Sequence, residues 1–276
     1  MALLIAVSKK EERDRNIGLF EAFSGLGFMT GPLVGSFLYT MGGYIMPFAF
    51  SGCFFIFCFP LVAYQLAQQK RESKIIEENK AKSFTSTETL IQYSRVSVLK
   101  MFTVPRFLFG IGSQIIIAAT LQFLAPTLGL QLSLYGYTPE FVSLCFCIPS
   151  LIYAASSPFL FLVTEKIPKR LVMISGHILC ALGMLIVGCS TIFGLSNDSN
   201  MILAGLCLLG FSASLIAIPV MPECLEAIED RNDLNYDPEE VNNQISGIFV
   251  TSTGVGETLG PVASSVLNKY YGFNLA

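Results

Sequence analysis

The stretch GLFEAFSGLGFMTGPLVGSFLYTMGG, residues 18–43, returns 229 positions later as GIFVTSTGVGETLGPVASSVLNKYYG, residues 247–272. Aligned without a gap, the two share nine identities over 26 positions: Gly18/Gly247, Phe20/Phe249, Gly25/Gly254, Gly27/Gly256, Gly31/Gly260, Pro32/Pro261, Ser36/Ser265, Leu38/Leu267 and Gly43/Gly272. Six of these are glycine or proline, which set helix shape, so a shared bias toward apolar residues does not account for the match. Self-similarity at a fixed offset marks an architecture assembled from related units. Within the first copy Gly27, Gly31 and Gly35 recur every four residues. That spacing makes a flat stripe on which a neighbouring backbone can pack closely. Pro32 frees a carbonyl and bends the helix, which membrane bundles tolerate where neighbours re-satisfy it.

Composition places these repeats in a membrane. Hydrophobic residues make up 53% of the 276 and charged residues 13%, and the mean hydropathy is +0.61. Soluble domains carry roughly 25% charged residues, so about half the usual charge is missing. A hydrocarbon core about 30 Å thick asks for ~20 apolar residues per helix. Stretches of that kind fall at about 17–39, 45–66, 107–128, 141–163, 171–194, 201–222 and 244–268. They predict seven transmembrane helices in an all-α bundle. The opening Met1–Val7 is too short to span and its basic residues follow the apolar run, so it reads as the end of a helix and not as a cleavable signal. Between the second and third spans, Ala67 to Ser97 is rich in Lys, Glu, Ser and Thr and reads as a flexible linker. The expected organisation is therefore 1–66 with two spans, a linker at 67–97, and 98–276 with five spans.

Charge gives the sidedness. Lys and Arg accumulate in short cytoplasmic loops. With the N-terminus inside and sides alternating, 16 of the 17 basic residues lie in the cytoplasm and only Lys269 falls outside. The net charge of −3 and pI near 5.3 give no basic surface for nucleic acid. All eight cysteines sit in or at the ends of apolar stretches without CxxC spacing, so no zinc site or disulfide framework is expected. The segment Glu223–Glu240 holds eight acidic residues against Arg231 alone. It fails as a calcium loop, because Leu234 and Val241 stand where ligands are required, and it reads as a solvated cytoplasmic loop. No nucleophile–base pair, phosphate loop or metal cluster stands out, so neither enzyme chemistry nor a cofactor is expected.

The run Phe23-Ser24-Gly25-Leu26-Gly27, followed by Gly31-Pro32, Gly35, Leu38-Tyr39, Gly43-Tyr44 and Pro47, resembles the fifth-helix motif of major facilitator antiporters. It is most similar to the vesicular amine transporter family, in its vesicular polyamine transporter branch. Leu124 with Pro126-Thr127-Leu128, Tyr153 with Ala155-Ser156-Ser157-Pro158, and Pro219 with Pro222-Glu223 extend the likeness over about residues 16–273. The resemblance implies a major facilitator-type helical bundle of two six-helix halves, truncated here to about seven helices, five to eleven. It also implies a small-molecule solute and protons as partners besides the lipid bilayer, and a vesicle or other endomembrane, with the plasma membrane as the alternative. Glu165, Lys166, Lys169 and Arg170 fall where the family has a cytoplasmic latch, with Glu for the usual Asp and Pro168 for the usual Gly. Ala125, Ala217 and Val250 stand where amine-carrying relatives have acids, so Glu21 or Glu257 would have to meet an amine cation.

Ionisable groups within a span cost roughly 2.5–3.5 kcal/mol on insertion scales, so each needs a reason. Glu257, at the middle of the last span, is the main candidate for proton or substrate coupling, with Glu21, Glu223 and the only histidine, His177, behind it. Each also admits a plainer role: a neutral interhelical bond for Glu257, an interfacial position for Glu21 and Glu223, packing for His177. Gln114, Ala118, Gln122 and Pro126 share one i, i+4 row, so Gln114 and Gln122 either bond a neighbouring helix or line a cavity, with Tyr153 facing the same space. Two functional readings remain: a proton-coupled antiporter of a small organic solute working by alternating access, and a non-transporting truncated fragment or membrane partner protein. A seven-helix receptor is disfavoured, because its N-terminus would lie on the opposite side. The seven-span arrangement predicts that single cysteines at Ser83 and Ser196, in a background without native cysteines, label from opposite sides. Labelling of both from the cytoplasm would exclude it.

Overall fold

The computed structural model describes residues 13–83, 97–188, 199–231 and 238–271. Among the described residues every regular element is helical: α1 (Arg13–Gly42), α2 (Ile45–Ser83), α3 (Val98–Met101), α4 (Pro105–Phe123), α5 (Leu128–Leu134), α6 (Pro139–Ser156), α7 (Leu160–Thr164), α8 (Lys169–Val187), α9 (Ser199–Glu229) and α10 (Pro238–Tyr271). A 3₁₀ turn, Ser157–Phe159, joins α6 to α7.

Among the described residues, helix covers all or most of each of the seven expected stretches. Five segments are long and apolar enough to cross a membrane: Ile45–Tyr64, Pro105–Leu134, Pro139–Phe159, Lys169–Val187 and Asn200–Glu229. The two repeat copies, α1 and α10, run to 30 and 34 residues, and their Gly, Ser and Thr content dilutes their hydropathy.

Two expectations about boundaries change. The expected linker continues α2 as helix through Ser83, because its Lys, Glu, Gln and Ala residues are good helix formers; residues 84–96 lie outside the described residues. The segment from Glu223 is not loop, since α9 runs on through Glu-Cys-Leu-Glu-Ala-Ile-Glu to Glu229. By packing, one compact unit joins Met1–Leu33 to Ser94–Ala276, and the other is Val34–Tyr93. The reason is local packing of the first half of α1, where Ile17 is buried and Gly25 meets α6. In the second unit, the Phe-rich part of α2 around Phe54, Phe55, Phe57 and Phe59 is exposed throughout. An apolar helix of this kind is solvated by lipid.

The larger unit is organised around α9. Its Leu206, Leu209, Ala213, Ile216, Val220 and Leu225 form the centre of the core. Helices α4, α6 and α8 pack on it, and α10 packs mainly on α4. Lipid is as apolar as leucine, so association in a membrane depends on close approach and interhelical polar contacts. The sequence supplies both. At Gly210 of α9 an added Cβ would sit 2.8 Å from the Pro149 Cα of α6. At Gly183 of α8 it would sit 3.0 Å from the Leu209 side chain. On α10, a Cβ at Gly256 would lie 2.5 Å from the Ile115 carbonyl oxygen, and one at Gly260 would press on the Ala119 backbone.

Gly260→Leu is therefore expected to overpack α4 against α10 and cost about 1–3 kcal/mol. Thermal unfolding of the detergent-solubilised chain would register this as a lower midpoint. Gly247→Ala, at the repeat position with open space around it, should leave the midpoint unchanged or raise it.

Candidate functional site

The end of the bundle where α8 begins and α9 finishes carries an ion cluster. α8 and α9 are consecutive packed helices, so the N-terminus of one lies beside the C-terminus of the other. Lys169 and Arg170 stand in the first turn of α8, Glu223 and Glu226 line the last turns of α9, and Asp230 immediately follows it. Each set has the wrong sign for its own helix dipole and the right sign for its neighbour's. Glu223 is the centre of the cluster, only 2% exposed. Its Oε1 accepts from Arg106 Nε of α4 at 2.9 Å and forms an ion pair with Arg170 Nε at 3.2 Å. Arg106 also donates to Asp230 and reaches Glu226 at 3.9 Å, and Lys169 Nζ donates to Glu226. Three helices are thus tied through one buried carboxylate.

Of the four residues expected to form a latch, Lys169 and Arg170 engage α9. Glu165 and Lys166 are exposed in the turn before α8. Sequence reasoning treated Arg106 as a basic flank and missed its role. The available signal was the Glu223, Glu226, Asp230 spacing, three then four residues, which puts all three acids on one helical face.

The second polar feature is the seam between α4 and α10. Gln114 is buried, and its Nε2 donates to Thr253 Oγ1 at 2.9 Å, while the Thr253 hydroxyl itself donates to the Phe249 carbonyl. Further along, Thr127 and Ser264 share a buried hydroxyl contact of 3.2 Å. Gly256 and Gly260 close the gap between these two bonds. Gln114 Oε1 is buried and has no hydrogen-bond partner among the described residues. Gln122, two turns along from Gln114, is half-buried. Tyr153 belongs to a different contact: its ring would lie 2.8 Å from a Cβ at Gly25, with the Ala154 Cβ at 3.1 Å. The structure therefore joins Gln114 to α10 and Tyr153 to α1. A groove of about 460 Å³ beside the seam is lined by other residues, among them Phe102, Ile115, Gln244 and Thr251.

Glu257 follows Gly256 on α10 and is exposed, turned away from the face that α10 packs on α4. It has no ion-pair partner among the described residues. His177 of α8 is half-buried; its Nδ1 lies 2.8 Å from the Met173 carbonyl, and its ring is 6.4 Å from that of Phe109. The Glu21 and Pro32 side chains lie outside the described residues. Among the helix-shape residues, Gly25, Gly256 and Gly260 make close contacts, while nothing lies within 4 Å of a Cβ at Gly27, Gly31, Gly35 or Gly254. Pro261 continues inside α10.

A lipid-exposed helical bundle with a repeated glycine–proline helix, a polar interhelical seam and charges gathered at one end is a multi-pass integral membrane protein. The chain belongs to the Major Facilitator Superfamily, whose family model matches residues 1–228 and again residues 107–276. It is 29% identical over 265 residues to the Mus musculus MFS-type transporter SLC18B1, covering 94% of this chain and 53% of that one. The Homo sapiens protein of the same name is 28% identical over the same shares. An uncharacterized MFS-type transporter of Methanocaldococcus jannaschii is 23% identical, covering 98% of this chain and 63% of its own. The chain spans about half the length of the mammalian relatives. The branch expected from the motifs, that of the vesicular amine transporters, is the one these mammalian relatives represent.

The cluster makes a sharp stability prediction. Glu223→Gln leaves two guanidiniums facing a neutral amide and is expected to cost roughly 3 kcal/mol, at the low end for a buried pair because both arginines keep some solvent. Asp230→Asn, at an exposed pair, should cost under about 1 kcal/mol. A double-mutant cycle with Arg106→Gln, read by denaturation in detergent, should return a large coupling for Glu223 and a small one for Asp230. Additive losses at Glu223 would remove it from the centre of the cluster.

Proposed function

We propose that the protein is a secondary transporter working by alternating access, exchanging protons for a small organic solute across a vesicle or other endomembrane. Family membership supports transport as the class of activity. The observation that carries proton coupling is Glu257. An unpaired carboxylate at the middle of a membrane helix has to be protonated or hydrated, at a cost of roughly 2.5–3.5 kcal/mol when left to lipid. Gly256 fixes that stretch of α10 against α4, so the carboxylate is presented outward from a braced helix. A group held in place and able to change protonation is what coupled exchange requires.

The other ionisable candidates take supporting parts. Glu223, paired with two guanidiniums that tie three helices, suits bracing better than proton exchange. His177, with Nδ1 donating to a carbonyl, has Nε2 as its exchanging nitrogen. Small amines are the first cargo to try, with Glu257 as the anionic partner.

The test is uptake of labelled amines into proteoliposomes of the full natural protein under an imposed pH gradient. With Glu257→Gln, gradient-driven uptake is expected to fall at least about tenfold, the order of effect of losing a positioned acid–base group. Solute–solute exchange should persist. Gradient-driven uptake at the native rate in this variant would take Glu257 out of the mechanism, and a neutral hydrogen bond that Gln preserves would be its role.

A further inference from the structure

The outer side of α8 combines two features that the transport reading does not use. Ile167, Leu171, Ile174 and Ile178 are all exposed. Leu171, Ile174 and Ile178, three and four residues apart, form a single aliphatic stripe down the helix, and Ile167 is exposed in the turn before it. Two cations stand at its head. Arg170 is one helical turn before Ile174, and Lys166 lies exposed in the turn preceding α8. Arg170 commits its Nε to Glu223 at 3.2 Å, yet its side chain remains 53% exposed, so the Nη donors are at the accessible end.

We infer that this edge is a seat for an anionic glycerophospholipid, its headgroup phosphate held by Lys166 and Arg170 and an acyl chain lying along the aliphatic stripe. A guanidinium fork matches phosphate oxygens bidentately, and Lys adds a point charge. Anionic lipids are concentrated in the cytoplasmic leaflet and attract basic residues at span ends, and this is the end that the charge distribution assigns to the cytoplasm. A soluble phosphate would match the cations and leave the stripe beside them unmatched, whereas a lipid matches both. The acids nearby do not cancel the pair. Glu226 and Asp230 are engaged by Lys169 and Arg106, and Glu223 is buried beneath Arg170. Glu165, exposed in the same turn, offers an acceptor to a headgroup amine and favours phosphatidylserine. Because the same guanidinium holds Glu223, the bound headgroup would also brace the cluster that ties α4, α8 and α9.

Native mass spectrometry of the full chain in detergent, titrated with dioleoyl-phosphatidylserine or dioleoyl-phosphatidylcholine, tests this directly. Phosphatidylserine is expected to bind more tightly and to raise the unfolding midpoint. Lys166→Gln and Arg170→Gln should each weaken that preference about fivefold, the effect of one basic residue at a membrane surface. Lys166→Gln is the decisive variant if Arg170→Gln loosens the ion cluster. Lys100→Gln, at an exposed lysine away from the stripe, should change nothing. Ile174→Ser should weaken retention of both lipids, and soluble glycerophosphoserine should fail to compete. Equal binding of the two lipids, an equal loss with Lys100→Gln, or full competition by the soluble headgroup would overturn the proposal.

Discussion

Close approach of helix backbones is the constraint on which this bundle rests. Apolar surfaces gain little by leaving lipid for one another, so large side chains alone would not hold α9 at the centre. Missing side chains do part of the work. Pro149 of α6 lies against Gly210, Leu209 of α9 against Gly183 of α8, and the α4 backbone against Gly256 and Gly260. Each close approach places apolar atoms of both helices within dispersion range, and many small gains add up. It also brings hydroxyls and amides near enough to bond across the interface, as Ser156 does with Ser214 at 2.9 Å and Gln114 with Thr253. The ion cluster depends on the same geometry, since Arg106, Arg170 and Glu223 meet only where α4, α8 and α9 already touch.

The two repeat helices use complementary faces of one motif. In α1, Gly18 and Gly25, seven residues apart, meet Ser157 and the Tyr153–Ala154 pair, while Gly27 and Gly31 face open space. In α10 the usage is reversed: Gly256 and Gly260 pack on α4, while Gly247 and Gly254 are open. A motif retained in both copies thus encodes two contact faces, and each copy fills one of them among the described residues. This explains why the matches include both the 18/25 and the 27/31 positions, although no single helix in the chain engages both.

The helical membrane class and the position of every long helix were legible in the sequence, because hydropathy and length act locally. Boundaries were less so. α9 outruns its apolar stretch by seven residues, to Glu229 instead of 222, because a good helix former continues a helix whether or not it belongs in lipid. The same applies to α2 beyond Leu66. The polar row on α4 was legible as a feature, and its partner was not: nothing in the spacing of Gln114 says that Thr253, 139 residues away, accepts its hydrogen bond. Arg106 was hidden for the opposite reason. Basic residues at span ends are expected for sidedness alone, so one that also neutralises a buried acid looks like its neighbours until the fold brings the acid to it.

Glu223 and Glu257 meet the cost of a carboxylate at or within a membrane span in opposite ways. Glu223 lies near a span end, surrounded by helix termini of suitable sign and two guanidiniums, and burial there is compensated by pairing. Its carboxylate ties α4, α8 and α9 together through those two ion pairs. Glu257 lies in a helix whose packed face is lined by glycine, serine and threonine and whose other face carries it outward, with no cation among the described residues to hold it ionised. The same residue type therefore serves as a fixed brace in one place and stands unpaired on an open helix face, among the described residues, in the other. What separates the two is whether the fold brings a guanidinium within reach.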